Sequence, residues 1–260
     1  MPQRRLPDIS DDQLYAEWIE WIERIYNETV ELAWNRRVFR DIGRVFQYNT
    51  HLQERGGSLW DWMRTNYIAG AAMSFRREVD RQGGTLNLRN LLFEIEKRPG
   101  VMSRRRYYEK WGPATSPFQE QRRVEAFELF KPVSVSDDDM DDHIDPSLVR
   151  QDRVELESNT KFVQEFVEQT IAHRGRGGMV TVSMQRFNET IDGLMIVVEK
   201  YLSMLTLNSV AQFEPAPQYN THEPFTFPWD VTCDGMWQEF MDGKKLPWKR
   251  ILDMYEAEPK

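Results

Sequence analysis

The four histidines are the first side chains to consider for catalysis, because imidazole is the commonest acid or base near neutral pH. They are His51, His143, His173 and His222. His51 and His222 lie in polar or proline-rich stretches typical of surface loops, and His143 lies in an acidic run. His173 falls where a predicted long helix meets a glycine-rich turn, a position from which its ring can reach a ligand.

Arg174 and Arg176 bring positive charge to the turn that follows His173. An imidazole beside guanidinium groups can move the proton of a ribose 2′-hydroxyl, and the guanidinium groups can stabilise charge developing on phosphorus. This pattern predicts a metal-free RNA or phosphate site, with His173 catalytic and Arg174 and Arg176 binding phosphate. The alternative is structural, because basic side chains at a helix C-terminus complement its dipole by about 0.3–1 kcal/mol each.

A second candidate site is a basic stretch that two tyrosines follow: Arg104, Arg105 and Arg106. Cations interleaved with aromatic rings are typical of RNA-binding surfaces, so we predict these three arginines to bind RNA. The alternative is that they offset the acidic run at residues 137–142. That run does not fit a calcium loop, because Asp142 stands where the loop requires glycine and Leu148 where it requires glutamate.

Composition excludes several classes of protein. With 40% hydrophobic residues the chain is not mainly disordered, and its net charge of −8 disfavours broad nucleic-acid binding but permits a local basic patch. The single cysteine, Cys233, excludes a cysteine-rich zinc site and fits a reducing compartment. No apolar run approaches ~18 residues, and no apolar signal segment is present at the N-terminus. We therefore expect a cytoplasmic protein with no membrane partner, metal or cofactor.

The spacing of apolar residues predicts an all-α fold, an antiparallel helical bundle. Ser10 and Gln13 fit a capping box that starts a helix reaching about residue 36, and the pattern leaves open a break before residues 38–48. Ser58 resembles the cap of a second long helix. Asp145 begins a helix that reaches about residue 173. The last long helix carries a heptad seam, which suits a bundle core or a dimer contact: Phe187, Ile191, Leu194, Val198, Tyr201 and Leu205.

Two regions are predicted from these elements. Residues 1–207 form the bundle, interrupted by an irregular insertion at about 98–145 that holds one short helix near 119–130. Residues 208–260 are rich in proline and aromatic residues, and we expect them to form a C-terminal extension that packs on the bundle.

Three stretches carry a resemblance to a known family. The sequence Thr170-Ile171-Ala172-His173-Arg174 is followed by a turn and by a helix that ends in VVEKYLSML. Upstream, AAMSFRREVDRQ is followed by TLNLRNLLFEIEKRP. Together they resemble the HEPN superfamily (higher eukaryotes and prokaryotes nucleotide-binding), and within it the AbiU-type abortive-infection group. The resemblance covers about residues 60–99 and 154–205.

The resemblance implies a helical bundle, frequently a homodimer, with an RNA-cleaving cleft between its protomers. The family motif is an arginine, four to six residues, and then a histidine. His173 matches the histidine, but the positions for the arginine hold Glu168, Val167 and Phe166. One hypothesis is therefore a defence or toxin–antitoxin protein that binds RNA or cleaves it without metal. The other is a non-catalytic interaction or scaffold module whose partner is a protein.

Overall fold

A computed structural model describes residues 9–82, 85–133, 139–167, 183–207 and 213–214. Within these residues all regular secondary structure is helical and no β-strand forms, so the prediction of an all-α fold is confirmed. Two short 3-10 turns, Pro99–Met102 and Asp139–Asp141, separate some of the helices. The α-helices are α1 (Asp11–Tyr48), α2 (Thr50–Arg55), α3 (Gly57–Glu78), α4 (Leu88–Lys97), α5 (Arg104–Trp111), α6 (Pro117–Glu128), α7 (Pro146–Phe166) and α8 (Met184–Thr206).

Helix α1 runs unbroken for 38 residues. Its predicted capping box forms, since the Gln13 amide donates to Ser10 Oγ at 3.3 Å and the Ser10 amide donates to Gln13 Oε1 at 3.1 Å. Apolar residues at steps of three and four bury one face of the helix, with Trp18 fully enclosed. The Trp18 indole donates to Glu94 Oε2 at 3.3 Å, which ties α1 to α4.

The long helices are antiparallel to their neighbours. Phe39 of α1 stacks on Tyr67 of α3 at 4.3 Å between ring centroids, while Glu28, earlier in α1, pairs with Arg77, later in α3. Between α7 and α8, Asp152 accepts hydrogen bonds from Lys200 and Tyr201, whereas Phe162 meets Phe187. Crossed contacts of the same kind relate α4 to α7, where Arg89 pairs with Glu157 and Glu96 pairs with Arg150.

The heptad seam of α8 lies inside the bundle. All six of its residues are buried, and Phe187 makes edge contacts with rings from three other positions. Since the seam is already covered within one chain, it belongs to the core of the bundle and is not exposed for a dimer contact.

The segment at residues 98–145 is more regular than the sequence predicted. Helix α6 forms where one short helix was expected, but α5 forms as well, each behind a serine cap. The Arg123 side chain is buried between them, where it donates to the Gly112 carbonyl at 2.7 Å and lies 4.1 Å from the centroid of Tyr108. A buried guanidinium is not visible in hydrophobic periodicity, which is why the packing of this segment escaped the sequence pattern.

Two predicted helix starts had different outcomes. Asp145 caps α7, its Oδ1 accepting from the Ser147 amide at 2.8 Å, as predicted. The predicted cap at Ser58 is wrong, because α3 already begins at Gly57 behind Gly56 and has no side-chain cap. No described helix is long and apolar enough to cross a membrane.

Candidate nucleic-acid interface

The predicted catalytic turn lies outside the described residues, since His173, Arg174 and Arg176 fall within 168–182. Two of the positions at which the family motif would place its arginine are described. Val167 is fully buried, and Phe166 is half-buried against the hydrophobic core. An arginine would not fit the packing around Val167 without losing its solvation, so the apolar residue there serves the core.

The basic triplet in α5 is surrounded by carboxylates. Arg104 pairs with Glu128 at 2.8 Å, and Arg105 pairs with Asp141 at 3.2 Å. Further ion pairs to the triplet come from Asp11, Asp12 and Asp142. Five carboxylates therefore face three arginines, which gives this surface little positive potential. RNA binding by Arg104, Arg105 and Arg106 stays a prediction.

Of the other three histidines, His51 and His143 belong to the described residues and His222 lies outside them. The backbone of His143 exchanges two hydrogen bonds with that of Val133, and its Nδ1 lies 2.8 Å from the Ile144 carbonyl oxygen. This pairing holds together two parts of the segment at residues 98–145. His51 lies within α2. Among the described residues no group of three His, Cys, Asp or Glu side chains could hold a metal ion.

A basic surface does form where α4 packs against α7. Four arginines and one lysine project there around two carboxylates, an excess of three positive charges. We call this surface the α4–α7 basic face; its residues are Arg81, Arg89, Phe93, Glu96, Lys97, Arg150, Arg153 and Glu157.

The two carboxylates hold the arginines in place. Glu96 is buried and bonds Arg150 at 2.9 Å and Arg153 at 2.8 Å. Glu157 bonds Arg81 at 2.7 Å and Arg89 at 2.8 Å. Each carboxylate pairs with more than one arginine, which fixes the positions of the guanidinium groups. One negative charge does not neutralise several positive ones, so the arginines can still attract a further anion.

The ionisation of these carboxylates agrees with that arrangement. Burial alone would raise the pKa of Glu96, but hydrogen bonds from Arg150 and Arg153 outweigh it and hold the pKa below its ordinary value. Burial is likewise outweighed at Glu157, where Arg89, then Arg81, lower the pKa. Both groups stay ionised at neutral pH, and the charge balance of the face is stable there.

An aromatic ring lies at the centre of the face. The half-buried Phe93 has three cationic groups near its ring, with Arg89 Cζ 5.9 Å, Lys97 Nζ 5.5 Å and Arg153 Cζ 5.7 Å from the centroid. Arg81 and Arg150 flank this group and are the most accessible of the four arginines, with 68% and 64% of their side chains exposed. The arrangement fits phosphate groups at the rim and an apolar or planar group near the ring.

Reasoning from the sequence missed this face, although it weighed the triplet in α5. The four arginines are spread over 73 positions, from Arg81 to Arg153, and no short stretch of sequence holds enough of them to indicate a basic surface. One signal was available: Arg150, Arg153 and Glu157 recur at helical spacing in α7, as do Arg89, Phe93 and Glu96 in α4.

Comparison with protein-family models, curated proteins and solved structures gives no match for this chain.

Proposed function

We propose that this protein binds RNA through the α4–α7 basic face and acts as an HEPN-like protein of the prokaryotic defence or toxin–antitoxin type. The observation that carries the proposal is the excess of three positive charges around Phe93 on a chain whose net charge is −8. Helix α4 and most of α7 belong to the residues that resemble the family. We further propose that the protein forms a homodimer in which His173 cleaves RNA without a metal ion.

Phosphate contacts supply most of the affinity in such an interface, and they make binding depend on salt. Replacing both Arg81 and Arg150 with Gln removes two exposed charges, each of which has one ion pair. Binding to a mixed-sequence single-stranded RNA, followed by fluorescence anisotropy at several salt concentrations, should weaken. The slope of log affinity against log salt is negative and should become shallower by about 1.4, since each phosphate contact on a single strand contributes about 0.7 to its magnitude.

A matched control removes two exposed arginines elsewhere. Arg24 and Arg64 each pair with one carboxylate on their own helix, and 63% and 51% of their side chains are exposed. Replacing both with Gln changes the net charge equally and should leave the salt slope unchanged. Equal losses in the two variants, or no RNA binding by the unaltered protein, would refute the proposal.

Cleavage is tested separately from binding. Purified protein is incubated with the same RNA in EDTA, beside a His173→Ala variant, and light scattering gives its mass. Cleavage that disappears in the variant supports the catalytic form. Retained RNA binding without cleavage limits the function to binding, and a mass of one chain argues against an RNA cleft between protomers.

A further inference from the structure

A second surface lies between α1 and α3, away from the basic face. Their antiparallel packing leaves a groove of about 880 Å³. Its floor is apolar and aromatic, formed by Leu32, Phe39, Tyr67 and Ala71, and two large apolar side chains stand on its α3 wall. These are Trp62 and Met73, which are 64% and 48% exposed.

The dimensions of the groove suit a helix. On α1 the lining extends from Glu28 to Ile42, which is about 21 Å at 1.5 Å per residue. Gly70 lies midway along the α3 wall, and a Cβ added there would meet no atom within 4 Å. A helix of about four turns can therefore approach the α3 backbone closely at this point.

The described chain ends on α1, the helix that forms one wall of this groove. Glu214 pairs with Arg36 at 3.0 Å and with Arg40 at 2.8 Å, and Phe213 packs on Tyr26. These contacts lie on a different face of α1 from the groove, since neither arginine lines it. The sequence that follows Glu214 is therefore tethered to the helix that forms one wall of the groove.

That following sequence contains a segment with the pattern of a groove-binding helix. In residues 246–256, Trp248, Leu252 and Tyr255 recur at steps of four and three, so they would share one helical face. Lys249 and Arg250 would lie off that face. The 33 residues between Glu214 and Trp248 are ample to reach along 21 Å, since one residue can span ~3.3 Å.

We propose that residues 246–256 of the same chain bind in the α1–α3 groove through Trp248, Leu252 and Tyr255. Tethering at Glu214 favours this occupant over a second copy, because a tethered segment reaches an effective concentration in the mM range. A second copy at μM concentration would compete at a disadvantage of about a thousandfold.

A photocrosslinker in the full chain tests the proposal. p-Benzoylphenylalanine replaces Trp62, an exposed aromatic side chain that lines the groove, and irradiation is followed by mass spectrometry. We expect crosslinks to residues 246–256 within a species of one-chain mass. The same crosslinker at Tyr48, an exposed aromatic residue that does not line the groove, should not yield them.

A second measurement does not depend on the photocrosslinker. Oxidation of Met73 by hydrogen peroxide should accelerate at least threefold in a Trp248→Ala, Leu252→Ala variant, with circular dichroism confirming that the bundle folds. Crosslinks between two chains would overturn the proposal in favour of self-association. Absence of crosslinks at residues 246–256, or an unchanged Met73 rate, would also overturn it.

Discussion

Glu78 at the end of α3 is a buried carboxyl group that should make stability depend on pH. Its side chain is almost fully enclosed, and its Oε2 accepts a hydrogen bond from the Leu88 amide at 3.0 Å. Burial raises its pKa to about 8, against the lowering effect of the Leu88 amide and with a further increase from Glu28. Glu78 is therefore protonated at neutral pH and donates a hydrogen bond to Glu28, which pairs with Arg77 at 3.0 Å.

The direction of the pH dependence follows from the two states. In the unfolded chain a glutamate titrates near 4.3, whereas the folded protein keeps the Glu78 proton up to about pH 8. The stabilising contribution is therefore fully present below pH 4.3 and is lost as pH rises to 8. Between these values the free energy of unfolding falls by about 1.4 kcal/mol per pH unit, or roughly 2.7 kcal/mol from pH 5.5 to 7.5.

Glu78→Gln isolates this contribution. The amide oxygen can still accept from the Leu88 amide, and the amide nitrogen can donate to Glu28 as the protonated carboxyl group does. Urea unfolding at pH 5.5, 6.5 and 7.5 should show the variant gaining stability relative to the unaltered protein as pH rises. The exposed Glu20, changed to Gln, is the control and should keep the original pH dependence. Parallel pH curves for Glu78→Gln and the unaltered protein would show that Glu78 is ionised in the fold.

Two further predictions concern the ends of helices. Gly56→Ala places a Cβ 2.5 Å from the Leu52 carbonyl oxygen and 2.7 Å from a ring carbon of Phe46, so we expect a loss of about 1–3 kcal/mol in thermal unfolding. The adjacent Gly57→Ala has open space and should gain up to about 1 kcal/mol; a comparable loss at both positions would contradict the steric argument. Ser10→Ala removes the capping box of α1 and should cost about 1 kcal/mol, whereas Ser10→Thr should retain most of the stability.

The fold was largely predictable because its helices depend on local patterns. The cap at Ser10, the start at Asp145 and the seam of α8 each involve residues within a few turns of one another, and all three form as predicted. The prediction failed where long-range packing decides the conformation. Arg123 is buried against the preceding helix, where it contacts the backbone carbonyls of Tyr108 and Gly112. Gly56 lies so close to the Phe46 ring that a side chain would not fit, which no local sequence pattern shows.

The candidate interface was harder to predict because charge acts in space and not along the sequence. The densest run of arginines, beginning at Arg104, meets carboxylates that are distant in sequence, such as Asp11 and Glu128. On the α4–α7 basic face, by contrast, Glu96 and Glu157 each hold more than one arginine, and positive charge accumulates. The two surfaces therefore differ in the ratio of carboxylates to arginines.

This difference distinguishes the two surfaces experimentally. Arg105 is about as exposed as its partner Asp141, and Arg105→Gln removes one positive charge from a surface on which carboxylates already outnumber arginines. If RNA binds the α4–α7 basic face, Arg105→Gln should change the salt slope by less than Arg150→Gln, although each variant removes one charge. If the triplet carries the contacts, the order reverses. The salt slope of these two single variants thus decides which arginines meet phosphate, independently of whether His173 cleaves the RNA.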